Sequence, residues 1–114
     1  MSEMIEYRGY TAEHNRRVIE KKVNGEWIPV RDRTDLHKLT QQFNWGPLSD
    51  QGGLRTSLAL LCDLTNDDQL SLRLMRIFKR RVLPSYTPEW RTNQECLMRF
   101  VEKFIRVTSA KSAD

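Results

Sequence analysis

Cysteine, histidine, glycine and proline are all scarce in this chain, and no long apolar run occurs. Two cysteines cannot build a disulfide framework or a four-thiolate zinc site, which points to a reducing setting such as the cytoplasm. His14, His37, Cys62 and Cys96 are the good soft ligands, and no two of them sit at chelating spacing, so neither a metal nor any other cofactor is expected. The longest unbroken apolar run, Leu58 to Cys62, falls far below the ~20 residues that cross a bilayer, so no membrane partner is expected. Met1-Ser2-Glu3-Met4 is neither basic nor apolar enough for a signal peptide. The phosphate-binding patterns Gly-x-x-x-x-Gly-Lys-Ser/Thr and Gly-x-Gly-x-x-Gly are both missing. No nucleophile has a base at a recognisable spacing. These absences argue against an enzyme.

What remains is a chain of 114 residues, 39% hydrophobic and 30% charged, which suits one globular domain with a single core. Its charge is unevenly distributed. Residues 1–70 carry nine Lys/Arg against eleven Asp/Glu, whereas residues 71–111 carry ten against three. Arginine outnumbers lysine thirteen to six, and its planar fork suits carboxylate and phosphate partners. A basic C-terminal third on a slightly acidic body attracts nucleic acid or an acidic protein face.

Residues 4–10 read as a strand, and residues 16–30 as a hairpin. Asn24-Gly25 tolerates positive φ at both turn centres, so Val23 and Glu26 should flank a type I′ turn. Together they predict a three-stranded antiparallel sheet. Leu36 to Thr40 suggests one short helical turn. Leu54, Leu58, Leu61 and Cys62 recur at helical spacing and predict a first helix over about 54–64, entered through Ser49-Asp50-Gln51-Gly52-Gly53. Thr65 and Asp68 resemble a capping box for a second helix over about 67–83. Its apolar face is Leu70, Leu74, Ile77, Phe78 and Val82, and its other face is Arg73, Arg76, Lys79, Arg80 and Arg81. Thr92-Asn93-Gln94-Glu95 reads as the cap of a third helix over about 92–107. There Leu97, Val101, Phe104 and Ile105 face inward, and Arg99, Lys103 and Arg106 face outward. Residues 108–114 read as a disordered tail, leaving residues 1–107 as one domain. Strands first and helices afterwards give an α+β fold.

Several short patterns occur in a fixed order: Tyr7-Arg8-Gly9, then Phe43-Asn44-Trp45-Gly46, then Gly52-Gly53 before Leu58-Ala59-Leu60-Leu61, then Phe78-Lys79, then Trp90. Over about residues 5–106 this order resembles an uncharacterised domain-of-unknown-function family of bacteriophages and mobile elements. The chain departs from that pattern at Pro47-Leu48 and at Ser49-Asp50-Gln51. The resemblance implies a phage or mobile-element setting in a bacterial cytoplasm and supplies no chemistry.

Two candidate sites follow. The first is a macromolecule-binding face of Arg73, Arg76, Lys79, Arg80, Arg81, Arg99, Lys103 and Arg106. The second is an anion or nucleotide loop of Gly52, Gly53 and Arg55, where the helix start offers unpaired amides. Reading of a DNA groove by the second helix is disfavoured, because Asp67 and Asp68 stand at its N-terminus, where base contacts are made. Non-specific nucleic-acid contact is the alternative, with Tyr86 and Trp90 as stacking partners. The bland reading of Trp27, Trp45 and Trp90 is packing on the hairpin face or in the core. The leading expectation is a non-catalytic interaction protein that binds a host protein or ribonucleoprotein complex, in its most specific form an inhibitor of a defence system such as a CRISPR effector.

Overall fold

A computed structural model describes residues 4–112, with side chains as far as Ile105. The elements are β1 (Glu6–Ala12), β2 (Arg16–Val23), β3 (Glu26–Pro29), α1 (Asp50–Thr65), α2 (Asp68–Arg81), β4 (Trp90–Asn93) and α3 (Gln94–Ser112). The strands form one antiparallel sheet in the order β3-β2-β1-β4. The fold is therefore α+β, as the pattern predicts. Among the described residues no helix is long and apolar enough to cross a membrane.

The hairpin forms at Asn24-Gly25, where both residues have positive φ (51° and 83°) and Val23 pairs with Glu26. β1 lies two residues later than expected, because Tyr10, Thr11 and Ala12 continue the ladder opposite Val18, Arg17 and Arg16. In place of a helical turn at Leu36–Thr40 there is a single reverse turn, closed by the Leu36 N–H on Arg33 O at 3.0 Å.

The sheet has four strands rather than three. Trp90–Asn93 pairs with β1, from Gly9↔Trp90 to Glu6↔Asn93, and the Gln94 N–H donates to Ile5 O at 2.8 Å. Asn93 also caps α3, its Oδ1 accepting from Cys96 N at 2.9 Å, so the expected four-residue capping box becomes strand plus cap. Trp90 lies flat on Gly9, where any Cβ would collide with the indole. It also meets Trp45 edge-on at 5.6 Å and Tyr86 at 4.8 Å.

α1 starts four residues earlier than expected. Gly52 and Gly53 are buried inside its first turns, because the segment 42–44 lies directly on the helix there. A Cβ at Gly52 would strike Gln42 O and Asn44. α1 ends at Asn66 in the left-handed conformation, its N–H on Cys62 O. The cap of α2 is Asp67, whose Oδ1 accepts from Leu70 N at 3.0 Å. Thr65, expected in that role, instead donates back to Leu61 O at 2.7 Å. α3 runs five residues past its expected end, with no glycine or proline to stop it before Ser112. The segment read as a tail is thus helical backbone over 108–112, and residues 113–114 lie outside the described residues.

The helices pack on one side of the sheet. Leu58, Leu60 and Leu61 of α1, Leu74 and Phe78 of α2, and Leu97 and Val101 of α3 are buried with Tyr7 and Ile19 of the sheet. Each such side chain stabilises the fold by about 1.5–3 kcal/mol. One polar link crosses this layer. The Tyr7 hydroxyl donates to Asp63 Oδ2 at 2.7 Å and Lys21 Nζ donates to Asp63 Oδ1 at 2.6 Å. Burial, and then the Asp63 carboxylate, push the Tyr7 hydroxyl far above the usual tyrosine range.

Two outcomes are expected. Gly9→Ala should lower stability by about 1–3 kcal/mol, read as a fall in the urea midpoint at unchanged slope. Above pH ~10 an unfolded tyrosine loses its proton while Tyr7 keeps it. The contribution of Tyr7 is therefore full below that pH and falls above it, by up to about 1.4 kcal/mol per pH unit. Melting curves between pH 9 and ~11.5 should show a steeper loss for the wild type than for Tyr7→Phe.

Candidate macromolecule-binding surfaces

α2 is amphipathic. Ser71, Leu74, Met75 and Phe78 are buried, while Arg73, Arg76, Arg80 and Arg81 are exposed. Lys79 is half-buried, its stem passing close to Gly53. The basic residues crowd the C-terminal half of the helix, where the macrodipole favours cations. None of the five forms an ion pair among the described residues, whereas eight other pairs are formed there. Their charge is therefore directed at solvent.

Three of them share a cleft. Arg76, Lys79 and Arg80 line an open depression of about 660 Å³ together with Gln41, Pro47, Asp50, Gln51, Leu54 and Pro84. One carboxylate against three cations leaves the cleft positive. Arg73 and Arg81 flank it on the same helix. The α3 residues do not join it. Arg99 pairs with Glu95 one turn away at 2.9 Å, Lys103 is exposed on α3, and the side chain of Arg106 lies outside the described residues. The expected set of eight therefore resolves into a five-residue face on α2 and a separate α3 flank.

The glycine entry is occupied by the protein itself. The Gly52 N–H donates to Gln41 Oε1 and the Gly53 N–H to Ser49 O, both at 3.0 Å. Arg55 holds Asp32 through Nε at 3.1 Å and through Nη2, donates from Nη1 to Gln41 O at 2.8 Å, and lies over the Phe43 ring. These groups fasten the segment 32–44 onto α1, so Gly52, Gly53 and Arg55 do not form an open anion loop.

Trp90 is buried, and Tyr86 is half-buried against it with burial raising its hydroxyl pKa. Trp90 thus follows its reading as a core aromatic, and the pair does not present the stacking surface that the nucleic-acid alternative would use. Cys62 is buried, and burial pushes its thiol up. Cys96 is exposed on α3 rather than on a core face. Among the described residues no group of three or more His, Cys, Asp or Glu is placed to hold a metal.

A second basic cluster went unread in the sequence. Alternation along the strands sends Glu6, Arg8, Tyr10, Arg16, Val18, Glu20, Lys22, Trp27 and Arg91 to the side of the sheet away from Tyr7 and Ile19. The guanidinium of Arg8 lies 4.0 Å from the centre of the Trp27 ring and 5.3 Å from that of Tyr10. Arg91 and Lys22 approach the same indole at 5.2 and 6.0 Å. Arg8 is held by Glu20 at 2.6 Å, and Arg91 by Glu6 at 2.8 Å. The polar outward alternation of β1 and β2 was the available signal, and the strand order needed to assemble it was not.

No curated protein and no solved structure matches the chain. A family model does match, over residues 7–103, a span that takes in β1, the hairpin, α1, α2, β4 and the described core of α3. The chain therefore belongs to the family of unknown function DUF6166.

Proposed function

We propose that this protein works by binding rather than by catalysis, and that the basic face of α2 engages an acidic surface on a larger host protein or ribonucleoprotein complex. The observation that carries the reading is the set of unpaired cations around the α1–α2 cleft. A cluster of like charges with no internal partner stabilises the fold little and repels itself, so it suits a complementary partner. Arg76, Lys79 and Arg80 stand on the last turns of a helix that packs into the core, so their backbone is already fixed and binding orders only the side chains. The cleft also has apolar walls in Pro47, Leu54 and Pro84, which suit an anchoring side chain at the centre of an interface. A face of about 800 Å² is within reach of a domain this size.

In its specific form the proposal is a phage- or mobile-element-borne protein acting in a bacterial cytoplasm, where it blocks a defence complex by covering a surface that complex needs. That form rests on the sequence resemblance alone.

The test reverses charge in the cleft. Arg76→Glu/Arg80→Glu should still fold cooperatively, with a melting temperature lowered by a few degrees, because both residues are exposed and unpaired and an acid near the helix C-terminus costs about 0.3–1 kcal/mol. Proteins retained from nuclease-treated bacterial lysate by the immobilised wild type should be lost with the double variant, with affinity for the recovered partner weakened at least tenfold, about 1.4 kcal/mol. Retention of the same proteins by the double variant removes α2 as the binding face. Retention of protein from untreated lysate alone, with purified nucleic acid bound equally well by the wild type, moves the partner from protein to nucleic acid.

A further inference from the structure

The three helices cover one side of the sheet and leave the other bare. On the bare side the ion pairs and ring contacts of Glu6, Arg8, Tyr10, Glu20, Lys22, Trp27 and Arg91 are made with one another. None reaches into the helical layer. Trp27 is an unusual residue for such a position, because a large indole is normally buried in a core or an interface. Here it lies over the sheet with the cationic ends of Arg8, Arg91 and Lys22 around it, and both it and Tyr10 are half-buried, with part of each ring open to solvent.

We propose that this outer sheet face binds single-stranded nucleic acid, with bases stacking on Trp27 and Tyr10 and phosphates running along Arg16, Lys22 and Arg91. The charge stays on the side that suits a polyanion: four cations, Arg8, Arg16, Lys22 and Arg91, stand against three carboxylates, Glu6 and Glu20 on the face and Glu89 beside Arg8, Tyr10 and Arg91. Arg16 makes no ion pair among the described residues, and Lys22 lies 3.9 Å from Glu6, a loose contact. Arg91 is the most open of the paired cations on this face, at 59% side-chain exposure. A phosphate can take it over from Glu6 at little cost, since exposed ion pairs contribute about 0–1 kcal/mol.

Arg8 has a different task. Bonded to Glu20 and packed against both rings, it fixes the indole and the phenol in place. The aliphatic side chains on this face are Val18, Ala12 and Pro29, beside the rings of Trp27 and Tyr10. Unpaired bases can lie flat against an open sheet face. Rings for bases beside cations for phosphates are what an unstructured strand requires.

This site is independent of the α2 face, and the experiment separates them. Fluorescein-labelled dT15 and rU15 are titrated with the full chain at 50 mM salt and followed by anisotropy, the two oligomers distinguishing DNA from RNA. Binding is expected for at least one. Three phosphate contacts give a slope of log affinity against log salt of about −2. Trp27→Ala and Tyr10→Ala should each weaken binding at least about fivefold, Trp27→Phe should retain most of it, and Arg76→Glu/Arg80→Glu should leave it within about twofold. Intrinsic tryptophan fluorescence should be quenched on binding, and the quench should vanish in Trp27→Phe, because Trp45 and Trp90 are buried.

No binding of either oligomer at 50 mM salt overturns the proposal. Unchanged affinity in both Trp27→Ala and Tyr10→Ala overturns it as well, since the attraction would then be charge alone. Loss confined to the α2 variant moves nucleic-acid binding to the helix and likewise ends it.

Discussion

Trp90 resting on the bare backbone of Gly9 holds this structure together. The indole needs a strand with no side chain beneath it, and β1 supplies one. That contact draws β4 into the sheet, brings Trp45 edge-on, and seats Tyr86 beside it. Trp45 in turn donates its indole N–H to Pro88 O at 2.6 Å, and the Gly46 N–H donates to Leu83 O at 3.0 Å. The long irregular segment between β3 and α1 is thereby fastened to the connection between α2 and β4. Remove the glycine and the cleft wall at Pro47 and the position of Arg91 beside Trp27 both lose their support.

The molecule carries two cationic surfaces built on opposite electrostatic plans. On α2 the guanidinium groups stand alone, so their field extends into solvent and falls off with the Debye length, ~8 Å at physiological salt. On the sheet the cations are laced to Glu6 and Glu20 and stacked on rings, which fixes geometry at the expense of long-range attraction. The first plan suits capture of a charged partner from a distance. The second suits recognition of flat, unpaired rings at contact. A single net charge of +4 hides the difference.

Features with local causes were legible in the sequence. Asn24-Gly25 fixes the hairpin because two positive φ angles are required at that turn, and the basic and apolar stripes of α2 follow from helical period alone. What was missed has its cause elsewhere in the chain. Trp90–Asn93 is four residues long and becomes a strand only because β1 is there to receive it. Gly52 and Gly53 look like a flexible entry, yet they are helical and are required by the close approach of residues 42–44. Asp67 rather than Thr65 caps α2 because Asn66 turns left-handed and ends α1 one residue before it. The basic stripe could be read, but its cleft could not, since Gln41 and Pro47 come from a segment with no regular period. The Trp27 cluster needed the order β3-β2-β1-β4, which no local pattern encodes.

The pairing of β1 with β4 also has a consequence on the ribosome. The ladder joins residues 6–9 to residues 90–93, so the sheet cannot close until more than eighty intervening residues have been made. At about 5–20 residues per second, the Gly9 strip of the nascent chain waits on the order of 4–16 s for its tryptophan lid. During that interval the β1-β2-β3 meander is the part of the sheet that can form by local pairing. A chain stalled before Trp90 would expose one edge of β1 to whatever other strand or chaperone meets it first.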